Sequence, residues 1–187
     1  MAKKKKLNMT KLIVACVGVV LSVLVICTVF MPVFKMEGKA AGVDLYSSNI
    51  TGADVLTACF TGEVSTDLSS GASILVRMKN SSDNGFVTGF FCWTYFLTLV
   101  FSAVSLVLTL LSVIGIRLEK IGMLVVLLTI ILAVLAFIFG LILPGKFASL
   151  DWGSLAKATT SASAAVYLML AGVVGALACG SAQSSKF

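Results

Sequence analysis

The sequence predicts an all-α transmembrane four-helix bundle with a small extracellular α+β cap between helices 1 and 2, and three observations carry that expectation. The composition is 59% hydrophobic and 12% charged, where a soluble domain has about a quarter of its residues charged. The apolar residues gather in four long runs without a charge, each near the roughly 20 residues that a helix needs to cross a bilayer. One connection, residues 34–89, is too polar to span and too long for a turn.

The chain starts with a basic tail, residues 1–11, which holds Lys3, Lys4, Lys5, Lys6 and Lys11. The first span follows over 12–33. A cleavable leader has a shorter apolar stretch, about 7 to 15 residues, ending in small side chains. This run closes on Phe30, Met31, Pro32 and Val33, so a retained span is expected.

Within residues 34–89, the mixed segment from Val33 through Ser47, broken by Gly38 and Gly42, suits two short strands and a turn. Thr51-Gly-Ala-Asp54 has the spacing of a capping box. Val55, Leu56, Cys59 and Phe60 then share one helical face, which predicts a short amphipathic helix. Ala72 to Met78 is β-branched in part and precedes the turn-rich Asn80 to Gly85, so a further strand is expected there.

The second span is expected over 90–116 and the third over 121–143, with the cytoplasmic turn 117–120 making them a tight helical hairpin. An outer loop at 144–161 carries Trp152, expected as an anchor at headgroup level. The fourth span, 162–179, is rich in Ala, Gly and Ser, so shielding by neighbouring helices is expected. Residues 180–187 form a second cytoplasmic tail.

Basic residues near the membrane ends set orientation. The lysine cluster, Arg117 with Lys120, and Lys186 fall on one side of a four-span chain, and the densest group precedes the first span. Both termini are therefore expected in the cytoplasm and the protein in the plasma membrane. The formal charge of +6 is a topology signal on this view, and no nucleic-acid partner is expected.

The spans hold no Asp, Glu, Lys, Arg or His, and the whole chain has no histidine. Ion-coupled carriers keep ionisable groups in the membrane, and hydrolytic or metal chemistry needs a base or ligand set that is missing here. No catalytic residue, cofactor or metal is expected. Of five cysteines, Cys59 alone lies in a polar loop, so no disulfide framework can be read; beside Val55, Leu56 and Phe60 it is expected as a buried small hydrophobe. Asn49-Ile-Thr51 and Asn80-Ser-Ser82 match the glycosylation acceptor pattern.

Two patterned features remain. Thr94, Thr98, Ser102, Ser105, Thr109 and Ser112 recur at steps of four and three along the second span. Hydroxyls at that spacing allow close helix approach and hydrogen bonds across a helix pair. The fourth span offers Ala171, Gly172, Gly175, Ala176 and Gly180 one turn apart. Thr98, Ser102, Ser105, Thr109, Ser112, Gly172, Gly175 and Ala176 are the expected helix-packing residues. The third span is bulky and aliphatic, as suits a helix with wide lipid contact.

Four spans, cytoplasmic termini, a long first outer loop with strands and a shorter second one together resemble the claudin and peripheral myelin protein layout. The resemblance is of topology. That family's Trp, Gly-Leu-Trp and paired-cysteine motif has no counterpart in residues 34–89, which hold Cys59 and no tryptophan. The chain is also similar to small four-span proteins of Gram-positive bacteria, through Gly42-Val43-Asp44-Leu45, the short tails and the lysine start.

The function expected is that of a non-enzymatic interaction or scaffold protein acting through its extracellular cap and its helix-packing faces. Its partners would be membrane lipid and another protein or a second copy of itself. The alternatives are a small-solute channel or carrier, which would need the hydroxyl stripe to face water, and an accessory or immunity subunit of a larger transporter or secretion complex.

Overall fold

The computed structural model describes residues 9–40, 43–62, 70–114, 116, 119–147 and 157–183. Among these residues four helices are long and apolar enough to cross a membrane, which makes the chain a multi-pass membrane protein. They are α1 (Met9–Cys27), α4 (Gly85–Ile114), α5 (Glu119–Phe147) and α6 (Ala164–Gln183). Between α1 and α4 lie β1 (Pro32–Ala40), β2 (Val43–Thr51), α2 (Gly52–Phe60) and α3 (Gly71–Lys79), and β3 (Lys157–Ala162) precedes α6. A single 3-10 turn, Thr28–Phe30, joins α1 to β1.

Helix α1 packs on α4 and α6, and α5 packs on the same two helices from the other side. Helix α6 is the most buried of the four spans, in keeping with its small side chains.

The helices differ in length, and the difference builds the cap. Tyr95 of α4 is hydrogen-bonded to Thr28, just past the end of α1, so Gly85 to Thr94 rises about 15 Å beyond it. A side chain on Gly140 would touch Val166 in the first turn of α6, so α5 continues past the start of α6 by about 7 Å. The sheet rests against these two extensions. Phe34 of β1 lies between Phe91 of α4 and Phe147 of α5, with ring centroids 5.4 and 5.6 Å away.

The sheet has the order β2-β1-β3, antiparallel throughout. The register between β1 and β2 shifts between Pro32 and Phe34. That bulge lets two successive side chains, Val33 and Phe34, both enter the core. The backbone N–H of Ser163 donates to the Val33 carbonyl at 2.8 Å, tying the start of α6 to the same bulge.

The hairpin and the first cap helix follow the sequence pattern. Asp54 accepts from the Thr51 N–H at 2.8 Å, and Thr51 Oγ1 accepts from the Asp54 N–H at 3.3 Å, a complete capping box.

Three expectations are corrected. Residues 72–78 form helix α3 and not a strand. Ser70 caps it by accepting from the Ser73 N–H, and Arg77 and Lys79 fall in the last turn, where cations suit the carbonyl end. Ile74, Leu75 and Met78 are buried at helical spacing, which outweighs the β-branching of Ile74 and Val76.

The connection 144–161 is not a loop throughout. Helix α5 runs through Pro144 to Phe147, because the buried Phe147 ring packs on Phe34, and Pro144 sacrifices a backbone donor only near the helix end. Lys157–Ala162 is the third strand, and Thr159 Oγ1 donates across to the Glu37 carbonyl at 3.2 Å. The helical boundaries shift accordingly: α4 starts at Gly85, α1 ends at Cys27 and α6 starts at Ala164. Trp152 lies outside the described residues.

Candidate functional site

The hydroxyl stripe of α4 faces the bundle interior. Thr94, Thr98, Ser102, Ser105 and Thr109 are buried, and Ser112 is half-buried at the far end. The threonines bond within their own helix. Thr98 Oγ1 donates to the Thr94 carbonyl at 2.7 Å, Thr109 Oγ1 to Ser105 at 2.8 Å, and Thr94 Oγ1 is shared between Phe90 and Phe91 at 2.9 and 3.0 Å. Ser102 and Ser105 hydroxyls are buried without a hydrogen-bond partner.

The small residues of α6 meet α1. A Cβ on Gly175 would lie 2.8 Å from Leu21 Cβ, and one on Gly172 would lie 3.0 Å from Val25 Cγ2. Ala176 is buried alongside. From the opposite side Gly18 of α1 admits Cys179, whose Sγ would be 2.6 Å from an added Cβ. Ser22 and Cys179 complete this seam, Oγ to Sγ 3.8 Å. Gly18 escapes sequence reasoning because its partner is about 160 residues away in the chain.

The cap is fastened to α4 by α2 and α3. Lys79 Nζ donates to the Ala58 and Cys59 carbonyls, each at 3.0 Å, so a cation closes the carbonyl end of α2. Burial pushes the Cys59 thiol above its ordinary range, and the Lys79 ammonium opposes that shift. Val55, Ala58 and Cys59 are buried, whereas Phe60 at the end of α2 is 64% exposed.

Phe60 does not stand alone. Its ring packs edge-on against Trp93 at 5.9 Å and Phe96 at 4.9 Å on α4. Phe86, Phe90 and Trp93 follow at steps of four and three along α4, 77%, 36% and 46% exposed, and Phe86 stacks on Phe90 at 5.7 Å. These rings form an open aromatic ridge where the cap meets the spanning helices. Sequence reasoning placed Phe60 on a covered face and assigned Trp93 no role, since the contact that joins them runs between two elements, α2 and α4.

Among the described residues no group of three or more His, Cys, Asp and Glu side chains is arranged to hold a metal. The chain matches no known family model, no curated protein and no solved structure.

Proposed function

We propose that this protein is a non-enzymatic interaction or scaffold protein of the plasma membrane, with both termini cytoplasmic, the cap outside, and a claudin-like layout in topology alone. The aromatic ridge of Phe60, Phe86, Phe90 and Trp93 is the observation that carries the proposal. Large rings presented together at low conformational cost are the side chains that anchor protein contacts. The partner is another membrane protein presenting apolar surface at the outer end of its spans, or a second copy of this chain.

The bonding of the α4 threonines to their own helix supports packing over pore lining. The lysine cluster ahead of α1 supports the orientation. Crosslinking in native membranes followed by mild-detergent purification tests the proposal. A stoichiometric partner or homo-oligomer should be recovered with the native chain and lost with Phe60→Ala plus Trp93→Ala; equal recovery from both would refute the ridge as the contact surface.

A small-solute channel is the second reading, and the unpartnered Ser102 and Ser105 hydroxyls favour it. Replacing both by Leu would abolish flux into liposomes on that reading, and would alter only assembly on the first. An accessory or immunity subunit differs from the first reading in the identity of the partner alone.

A further inference from the structure

Among the described residues the exposed aromatic side chains are Phe30, Phe60, Phe86, Phe90, Trp93 and Tyr167, and all of them lie in the cap-side part of the molecule. Contacts between the helices give their depth. Gly175 sits against Leu21, and Gly18 against the Cys179 backbone, which fixes the register of α1 on α6. Run toward the cap along both helices, that register brings Phe30 and Tyr167 to one depth. The hydrogen bond between Tyr95 and Thr28 aligns α4 with α1. Trp93, just before Tyr95, therefore reaches the level of Phe30, just after Thr28, to within about one helical turn. Three rings, 83%, 55% and 46% exposed, thus stand at one height on α1, α6 and α4.

The opposite edge of the apolar region is marked by charge. Lys11 lies in α1 about 30 Å from the level of Phe30. Gly140 of α5 sits against Val166, so Phe139 is level with Tyr167, and Lys120 in the first turn of α5 is about 28 Å from it. Between these two levels none of the four helices carries a charged residue, and no exposed large side chain there is aromatic. The separation matches the hydrocarbon thickness of a bilayer, about 30 Å.

We propose that Phe30, Trp93 and Tyr167 form a belt seated in the interfacial layer of a phospholipid bilayer, at the glycerol and headgroup level on the cap side. Amphipathic rings are favoured at that depth because the ring body rests on the acyl chains while the Trp93 Nε1–H and the Tyr167 hydroxyl donate to ester carbonyl or phosphate oxygens. Phe30 has no donor and contributes apolar surface alone. The belt fixes how deep the bundle sits and brings Lys11 and Lys120 to the opposite headgroups. It also marks the foot of the aromatic ridge. Phe90 and Phe86 lie about 5 and 10 Å further along α4 than Trp93, whereas a headgroup layer is about 5 to 8 Å deep on each side. Phe86 thus stands past the lipid, where the cover left to it is protein. The belt does not depend on the partner proposed for the ridge, so the two readings can fail separately.

The test is depth-resolved fluorescence quenching of the full chain in phosphatidylcholine vesicles whose acyl chains carry bromine either high, beside the headgroups, or low, near the bilayer centre. Trp152→Phe leaves Trp93 as the sole tryptophan. Phe30→Trp and Tyr167→Trp are each read in a Trp93→Phe, Trp152→Phe background, and Val20→Trp, about 15 Å deeper than Phe30, calibrates the low bromines. Trp93, Phe30→Trp and Tyr167→Trp should all be quenched most by the high bromines, and Val20→Trp by the low ones. Stronger quenching of the three belt positions by the low bromines would overturn the proposal by placing them within the hydrocarbon. No quenching of Trp93 by either lipid, with Phe30→Trp and Tyr167→Trp quenched, would overturn its lipid contact and assign that ring to a protein partner.

Discussion

The Tyr95 hydroxyl donates to Thr28 Oγ1 at 3.0 Å, while Thr28 in turn donates to the Val25 carbonyl at 2.6 Å. Both side chains are fully buried, and together they lock the end of α1 to the middle of the cap-side half of α4. The direction of donation makes the two substitutions unequal. Tyr95→Phe removes one net hydrogen bond and should cost about 0.5 to 1.5 kcal/mol, whereas Thr28→Val strands a buried phenol hydroxyl and should cost about 1 to 3 kcal/mol. Reversible unfolding in mixed micelles measures both, and an equal loss would contradict this geometry.

Gly52 lies against the same junction. A Cβ there would collide with the Tyr95 hydroxyl and come within 2.5 Å of the Thr28 carbonyl oxygen and 2.7 Å of Val29 Cα. Backbone cannot yield as a flexible side chain can, so Gly52→Ala should cost about 1 to 3 kcal/mol by overpacking. The same unfolding assay should show Gly62→Ala, where nothing stands within 4 Å, within about 0.5 kcal/mol of the native protein.

The seam between α1 and α6 gives a graded prediction. Gly175→Ala places its Cβ 2.8 Å from Leu21 Cβ, and Gly18→Ala places one 3.0 Å from the Cys179 backbone nitrogen. Each should lower stability by about 1 to 3 kcal/mol. Gly145→Ala meets nothing within 4 Å and serves as the control. Indistinguishable melting of all three would mean that α1 and α6 do not pack this closely.

Most of the bundle and part of the cap are legible in the sequence, for a physical reason. Spanning helices and the Thr51–Asp54 capping box are local: their signals are run length and spacing within one segment. What escapes is set by partners distant in the chain. Lys157–Ala162 shows only a Thr pair among small residues, and it becomes a strand because β1 offers an edge. Pro144 looks like a helix end, yet α5 continues since Phe147 has Phe34 to pack on. At α3 the Ser70 cap and the burial of Ile74, Leu75 and Met78 override β-branching. The α4 hydroxyls could be placed on one face from spacing alone, but which of them lack partners could not. The ridge was hidden because Phe60 and Trp93 belong to different elements.

Lys79 makes the cap sensitive to a single cation. Lys79→Met keeps the apolar stem but leaves the Ala58 and Cys59 carbonyls without their donor. The expected loss is about 1 to 2 kcal/mol for a partly buried charged hydrogen bond. It should appear as faster hydrogen exchange at the end of α2, with α6 unchanged. A loss spread evenly over the bundle would contradict a local fastening role.

The Cys59 thiol should be held back by burial. Because burial raises the Cys59 thiol above its ordinary range, the folded state favours the protonated form, and that stabilisation is present below the ordinary thiol value and fades as pH rises above it. Alkylation of Cys59 should therefore be slower in the folded protein than in the denatured chain near pH 8, with the gap narrowing at higher pH. Equal rates would contradict its enclosure.

On the function proposed above, the aromatic ridge contacts another protein. Phe60→p-benzoylphenylalanine, introduced into the chain and irradiated in native membranes, tests it most directly. The expected result is a discrete adduct of defined mass with one protein, a partner or a second copy. Labelling of lipid alone would contradict it and make the ridge a membrane-interface belt.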